Sequence, residues 1–578
     1  MQTANSLDGG MEKRIELPIL AVAGVFYAAG AFTPWGWPSV DGYPAIERFI
    51  APSFLTHDFY TNTTTAYNVD TLLAAALGAA QKATGVHYDV ILAMLNLVRC
   101  LLWPAVFFQF LRALSGDRRL ALIGALIGAG SLFAIPNLFA WGWLWGDPST
   151  AMFALLFVTG GWTLFLDRRP ASAMLLYSAA LLIHPLMAVH GGVFVALIFF
   201  VDYTRAEKVA ALTSPAAWLA GLIFAGLFLA QYLMLGATPD ERLPTDAYTR
   251  ILAYIRHPTD FIPSLFSAAD WIAGIVGSAA ALLILWKMRG AFLRGKLVAA
   301  GIASYFVICF CGWLFVEIHP VRFFVELIPF RYVIVGAPLM LYVIATFAAA
   351  EFRDGRWAAF LIFAALFFAA TPAARLGDAL VVVSAMIALW VFYRLMSGRG
   401  AIGAADALIA RRLSPAAFLT ALALCLLVLS PAALYLRRGE LTIPRADNQH
   451  TLYRWALEET GADAIFLADQ NGAPGFSHAI DPQRLRLVAR RAVVASKDFP
   501  FLDQDIAPWN DRWQAALGGG APRFVSKADG DALAGIAAKF PYDYVVRDAP
   551  LDDPRFTLAR EFAPEKGAGE IFVYRLAR

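Results

Sequence analysis

The stretch Phe330-Arg-Tyr-Val-Ile-Val-Gly-Ala-Pro-Leu-Met-Leu-Tyr-Val-Ile-Ala-Thr-Phe-Ala-Ala-Ala350, closed by Glu351-Phe-Arg353-Asp-Gly-Arg356, sets the terms for the whole chain. It is apolar over about twenty positions, enough at 1.5 Å rise per residue to cross the hydrocarbon of a bilayer. Similar runs recur from residue 17 to residue 436. Earlier candidates are Leu17–Thr33, Tyr88–Leu114, Leu120–Ile135, Ala151–Leu166, Ala171–Ile183 and Gly191–Val201. Pro215–Gly236, Trp271–Trp286, Leu297–Val316, Phe330–Ala350, Trp357–Ala370, Ala379–Leu395 and Ala416–Leu436 complete a set of about thirteen spans. The composition agrees: 59% hydrophobic, 14% aromatic and 16% charged residues, with mean hydropathy +0.59. The expected fold is an all-α polytopic membrane domain.

The charges between the runs orient it. Lys13 and Arg14, Arg112 with Arg118 and Arg119, Arg168 with Arg169, Arg205 with Lys208, and Lys287, Arg289, Arg294 and Lys296 fall in alternate connections. Arg353, Arg356, Arg394, Arg399, Arg411 and Arg412 continue the pattern, so one side collects about 19 Lys/Arg against about 8 on the other. Basic loops stay in the cytosol. The N-terminus is therefore expected inside a cytoplasmic (inner) membrane, and an odd number of spans puts the C-terminus outside. The apolar stretch Thr71–Val86 fits this register only as a helix lying on the outer interface. No cleavable signal peptide is expected, because the first run leads into Pro34, Trp35 and Trp37 without a small-residue cleavage site. The 4 cysteines all lie in apolar stretches and read as packing residues. The net charge of +3 follows the inner-face bias, and no basic stripe interleaved with aromatics points to nucleic acid.

After Leu436 the chain turns charged and rich in turns. The expected organisation is a transmembrane domain over 1–436, with its first outer loop at 34–87, and a soluble extracytoplasmic α/β domain over 437–578. Within the latter, Thr451–Thr460 and Asp529–Lys539 read as helices. Ala464–Ala468, most of Leu485–Ser496, Tyr542–Val546 and Glu570–Arg575 read as strands. No glycine-rich phosphate fingerprint is present.

Candidate chemistry gathers on the outer side. The first outer loop carries Asp41-Gly-Tyr-Pro-Ala-Ile-Glu47-Arg48, then His57-Asp58-Phe-Tyr60, with a short amphipathic helix expected from Pro44 to Phe54. A carboxylate there, Asp41, Glu47 or Asp58, is placed to act as general base on an acceptor hydroxyl or to hold a divalent cation such as Mg or Mn against a phosphate. Asp41 and Asp58 equally suit helix caps in a wet loop. Asp147 follows Trp141-Gly-Trp-Leu-Trp145 and reads either as a site residue or as the cap of the fourth span, with Pro148 in its first turn. His184-Pro-Leu-Met-Ala-Val-His190-Gly-Gly192 divides a long apolar stretch into two spans meeting at the outer face, and its spacing is not that of a helical metal pair. Arg256-His257, His319-Pro-Val-Arg322 and Arg331 supply outer arginines and histidines suited to a lipid phosphate, although interfacial arginines often only snorkel. Arg99 falls inside the candidate span Tyr88–Leu114, where an arginine at membrane depth needs a partner; a helix that starts shallow places it instead near the outer headgroups.

This layout resembles the GT-C superfamily of membrane glycosyltransferases: an inside N-terminus, an acid-bearing first outer loop, and about thirteen spans ending in an outer domain. Asp41-Gly-Tyr-Pro, Pro52-Ser-Phe-Leu-Thr-His-Asp58-Phe-Tyr, His184-Pro and Arg256-His257-Pro are similar to a bacterial GT-C-like group. So are Tyr453-Arg-Trp455-Ala-Leu-Glu-Glu-Thr-Gly-Ala-Asp463 and Arg490-Arg-Ala-Val-Val-Ala-Ser-Lys497-Asp-Phe-Pro. The resemblance implies transfer of a sugar from a polyprenyl-phosphate-type donor on the outer face, with Asp41 matching the first-loop acid and Glu47 or Asp58 as its companion. Two departures stand out: no adjacent acidic pair follows the first span, and no Trp-Trp-Asp motif opens the soluble domain, which argues against asparagine glycosylation. The expected partners are a lipid-linked sugar donor, membrane lipids and envelope-assembly proteins. Two other classes fit the pattern: a transporter or lipid-handling protein, and a non-catalytic partner in envelope polysaccharide assembly.

Overall fold

A computed structural model describes residues 5–33, 43–64, 71–130, 149–234, 242–256, 261–266, 268–353, parts of 417–431, 451–469, 482–496, 498–500, 502–517, 524–562 and 570–577. The chain divides into two compact units. One comprises Met1–Pro34, Ala93–Ala230 and Leu252–Leu441; the other comprises Trp35–Leu92, Gln231–Ile251 and Thr442–Arg578. The first outer loop, expected to go with the membrane domain, thus groups by contact with the C-terminal residues.

The first unit is helical. Among the described residues, five helices are long and apolar enough to cross a membrane: Tyr88–Ser115, Pro185–Asp202, Pro215–Leu233, Gly295–Ile318 and Pro329–Glu351. Shorter apolar helices cover Glu16–Gly30, Thr150–Leu166, Pro170–Ile183 and Ser278–Lys287. These features mark the chain as a membrane protein. The expected spans at 357–370 and 379–395 lie outside the described residues, so the count of thirteen does not extend to them. Pro329–Glu351 is almost wholly buried along its most apolar stretch and forms the centre of the unit, whereas Pro215–Leu233 is mostly exposed and keeps its apolar surface outward.

Lipid offers no hydrophobic force to drive such helices together, so close packing and internal hydrogen bonds must do it. The core shows both. A Cβ on Gly24 would stand 2.5 Å from the carbonyl oxygen of Leu101, so only glycine lets the first helix approach that backbone. A Cβ on Gly191 would meet Val158 at 2.5 Å, and the Gly191 carbonyl accepts the Trp162 indole N–H at 3.0 Å. Phe110, Trp162 and Phe194 pack around this contact. Cys100 and Cys309 are buried and Cys311 half-buried, all as free thiols in packing positions.

The break expected across His184 to Gly192 is narrower. One helix ends at Ile183 and the next starts at Pro185, so His190 and both glycines lie inside it. His184 is the junction: its Nδ1 accepts the Met187 N–H at 3.3 Å as an N-cap, and Pro185 occupies the first helical position, where a missing N–H costs nothing. The cap expected of Asp147 is supplied instead by Ser149, whose Oγ accepts the Met152 N–H at 3.2 Å. Asp147 itself lies outside the described residues.

The second unit contains a five-stranded sheet of order β2-β1-β3-β5-β4, with β1 at Ile465–Ala468, β2 at Ala492–Val493, β3 at Tyr544–Arg547, β4 at Phe556–Phe562 and β5 at Ile571–Leu576. Strand β1 pairs parallel with β2 and β3, and β5 pairs antiparallel with β3 and β4. The apolar run of β1 sits inside, and the side chain of Asp469 that ends it caps the helix Phe524–Lys527 through the N–H groups of Val525 and Ser526 at 2.8 and 3.1 Å. Helices Thr451–Glu459 and Gly530–Lys539 stand where their patterns place them. The strand expected over most of 485–496 does not form: Pro482–Leu487 is a helix, Arg490 turns with φ 53, and only Ala492–Val493 pairs. Leu-Arg-Leu alternates like a half-exposed strand, but Arg486 is fully buried, and its partners dictate the local fold.

Candidate functional site

In the second unit the described part of the first outer loop, 43–64 and 71–87, is a built structure. Tyr43–Ile50 is a helix, as the amphipathic pattern predicts, with Tyr43, Pro44, Ile46 and Glu47 on its buried side. Arg48 clasps the turn beyond this helix: its guanidinium donates to the carbonyl of Phe54, to the carbonyl of Leu55 at 3.0 Å and to Asn62 Oδ1 at 2.7 Å. These bonds fix the conformation in which Leu55 takes a left-handed φ of 46. The helix Thr71–Thr84 packs alongside, with Gly78 against Phe49 and Lys82 Nζ on the Phe49 carbonyl at 2.7 Å. Of the expected carboxylates, Glu47 is buried with the Tyr88 hydroxyl 3.5 Å from Oε1, and Asp41 lies outside the described residues.

Asp58 is wholly buried. Its carboxylate accepts from Thr61 N at 2.8 Å, Thr61 Oγ1 at 2.7 Å, Arg486 Nε at 2.9 Å and Val493 N at 3.3 Å. Arg486 also pairs with Asp498, which Gln483 Nε2 and Ser496 Oγ hold at 2.6 and 3.1 Å. The rings of Tyr43 and Tyr60 flank the guanidinium, and the Tyr60 hydroxyl donates to the Val494 carbonyl at 3.2 Å. Burial opposes the charge on Arg486, but Asp58 together with Tyr43 and Tyr60 more than offsets it, and the guanidinium's pKa is raised. Burial likewise pushes the Tyr60 hydroxyl well above its ordinary range. Two carboxylates on one arginine, each capped by further donors, satisfy the condition under which buried charge is tolerated. Sequence reasoning missed Arg486 and Asp498, although Asp498 stands in the quoted Lys497-Asp-Phe-Pro stretch.

The first unit gathers a different set. His184, His190 and Arg331 converge: His190 Nε2 lies 2.8 Å from the Leu327 carbonyl, its ring stands 6.0 Å from that of Tyr332, and Tyr332 shares a 3.0 Å hydrogen bond with Ser304. Ile328, with φ 47, turns the chain so that Pro329 and Arg331 come back over the histidines. At the turn between its two helices His184 is pushed down to about 3, first by burial and then by the charge of Arg331. Arg322 pairs with Glu326 at 2.6 Å, and His319 is exposed at the end of the π-turn Trp313–Ile318. Arg256 ends another π-turn, Arg250–Arg256, and His257 lies outside the described residues. Arg99 is 1% exposed, about 17 Å along its helix at 1.5 Å per residue. Its partners include Asn96 Oδ1 at 2.8 Å and the face of Phe153 at 6.0 Å.

A divalent cation finds no set of ligands among the described residues: no three His, Cys, Asp or Glu side chains are grouped to hold one, and the oxygens of Asp58 already accept from protein donors.

A sequence family described as a domain of unknown function, DUF6798, matches residues 448–516, the segment that supplies Gln483, Arg486 and Asp498. No curated protein matches. Among solved structures, the chain is similar to the oligosaccharyltransferase AglB of Archaeoglobus fulgidus in complex with an inhibitory peptide and a dolichol-phosphate, at 14% identity and TM-score 0.42 over 93% of this chain and 70% of that one. It is similar to ArnT of Cupriavidus metallidurans bound to undecaprenyl phosphate, at 10% identity and TM-score 0.42 over 99% and 98%. It is also similar to the arabinofuranosyltransferase AftD from Mycobacteria, at 13% identity and TM-score 0.46 over 98% of this chain and 40% of that one.

Proposed function

We propose that the chain is a membrane glycosyltransferase of the GT-C type, moving a sugar from a polyprenyl-phosphate-type donor to an acceptor on the outer face of the cytoplasmic membrane. The N-terminus then lies in the cytosol and the C-terminal domain outside, where envelope-assembly proteins can dock. One observation supports this reading above the rest: the described stretch that follows Asp41 in the first outer loop, residues 43–64, is tied down by the Arg48 clasp and the Asp58–Arg486 pair. A base must be held to a fraction of an ångström to be useful, and a slack loop cannot do that.

In this reading Asp41 is the base. It takes the proton from the acceptor hydroxyl as the oxygen bonds to the anomeric carbon, and the bond from that carbon to the phosphate oxygen breaks. The departing phosphate calls for cationic partners, the role expected of Arg331, Arg256 and Arg322. Glu47 is the companion acid, and Asp58 has a positioning role through Arg486. No step is assigned to a metal ion.

The test compares membranes from cells carrying the wild-type chain, D41N or E47Q. Mass spectrometry of their lipid-linked sugars should show one polyprenyl-phosphate sugar accumulating with D41N while the variant is made in normal amount. Unchanged lipid-linked sugars in D41N would reject Asp41 as the base.

A further inference from the structure

Away from the residues discussed above, three helix ends of the first unit line an open pocket of about 530 Å³: the end of Pro185–Asp202, the turn after Ala268–Lys287, and the start of Gly295–Gly312. Its lining includes Asp202, Arg289, Phe292, Leu293, Arg294 and Lys296. We infer that it is a binding site for the headgroup of an acidic phospholipid.

The charge balance comes first. Asp202, the acid in the wall, is already neutralised: Arg168 reaches it at 2.7 Å and Arg294 at 3.1 Å. Arg294 is also spent on the carbonyls of Ala113 and Leu166. Arg289 and Lys296 are exposed, and neither makes an ion pair or side-chain hydrogen bond among the described residues. Two cations without counter-charges therefore line a hollow of the size that small ligands occupy. The first turn of Gly295–Gly312 also lines it, adding backbone N–H groups of the kind that receive phosphate oxygens.

The surroundings select lipid over a free anion. Two of the three helices are membrane-spanning candidates, so the cavity lies at the level where spans end and headgroups begin. Its rim is apolar and outward-facing: Leu293 is 67% exposed, with Phe200 and Trp286 at 70% and 63% on the adjoining helix ends. These side chains belong against acyl chains while the cations hold the phosphate, which is the arrangement that recognises an anionic lipid. The positive-inside pattern puts this face on the cytosolic leaflet. None of this depends on the transferase reading.

Native mass spectrometry of the purified full chain tests it, with titrations of dioleoyl-phosphatidylglycerol, dioleoyl-phosphatidylcholine and inorganic phosphate. The wild type should retain phosphatidylglycerol about tenfold or more better than phosphatidylcholine, given the worth of two interfacial cations. The R289Q/K296Q variant should lose that preference, while R289K/K296R and K287Q, which alters a cation outside the cavity, should keep it. The lipid-free melting temperature of R289Q/K296Q should match the wild type, since both side chains are exposed. A preference that survives in R289Q/K296Q overturns the site. So does displacement of phosphatidylglycerol by millimolar phosphate, which would make the ligand a free anion.

Discussion

Arg486 and Asp58 meet at 2.9 Å although 428 residues separate them, and neither exposes any side-chain surface. The pair ties the first outer loop to the C-terminal residues within one unit. Removing Arg486 leaves two buried carboxylates, Asp58 and Asp498, without their counter-charge, a defect that costs about 3–5 kcal/mol, whereas removing Asp58 leaves Arg486 with Asp498 and costs less. In R486M, amide hydrogen exchange of the full chain should speed up over 58–64 and 482–496 and leave Thr150–Leu166 unchanged. D58N should do the same to a smaller extent. The double variant D58N/R486M should cost less than the sum of the two, as a shared interaction requires.

His184 makes the first unit sensitive to acid. Its folded-state pKa is pushed down to about 3, against an ordinary value near 6.5. Below pH 6.5 the unfolded chain binds a proton that the folded chain refuses, so the stabilisation is complete above 6.5 and is lost as pH falls toward 3. Integrated over that window the loss is on the order of 5 kcal/mol. Melting in detergent should fall across the window in the wild type and less steeply in H184N, because asparagine keeps the N-cap without the titration.

Asp202 and Glu207 both bind Arg168, but they should not matter equally. Asp202 holds Arg168 and Arg294 from a mostly buried position, while Glu207 holds Arg168 and completes a capping box with Thr204 nearer the surface. D202N should lower the melting temperature clearly more than E207Q, whose cost should stay near the ~1 kcal/mol of a lost cap. Equal effects would contradict the network as described.

Gly24 tests the packing of the first helix. In G24A the new Cβ meets the Leu101 backbone at 2.5 Å, which cannot give way as a flexible side chain would. The helices must separate, and a cost of about 1–3 kcal/mol should appear in thermal melting.

The helical body is legible in the sequence because span length and hydropathy are local properties. Strand β1 and the helices at 451 and 530 are legible because their apolar spacing matches their period. Other elements are not. Asp503–Leu517 carries Pro508 inside it and gives a poor helical signal, and β4 is buried only at Phe556 and Phe562, so its charged middle shows no alternation. The helix at Pro482–Leu487 depends on Asp58 and Asp498, remote residues that no local window contains. Among candidate site residues, the grouping of His184, His190 and Arg331 needed the turn at Ile328, whose left-handed backbone carries no glycine or asparagine signature.

The most direct measurement is mass spectrometry of lipids that co-purify with the full chain after mild extraction. A polyprenyl phosphate, free or carrying a sugar, should be retained by the wild type and lost in R331Q. Recovery of bulk phospholipids alone from the wild type, with no polyprenyl species, would contradict the transferase reading.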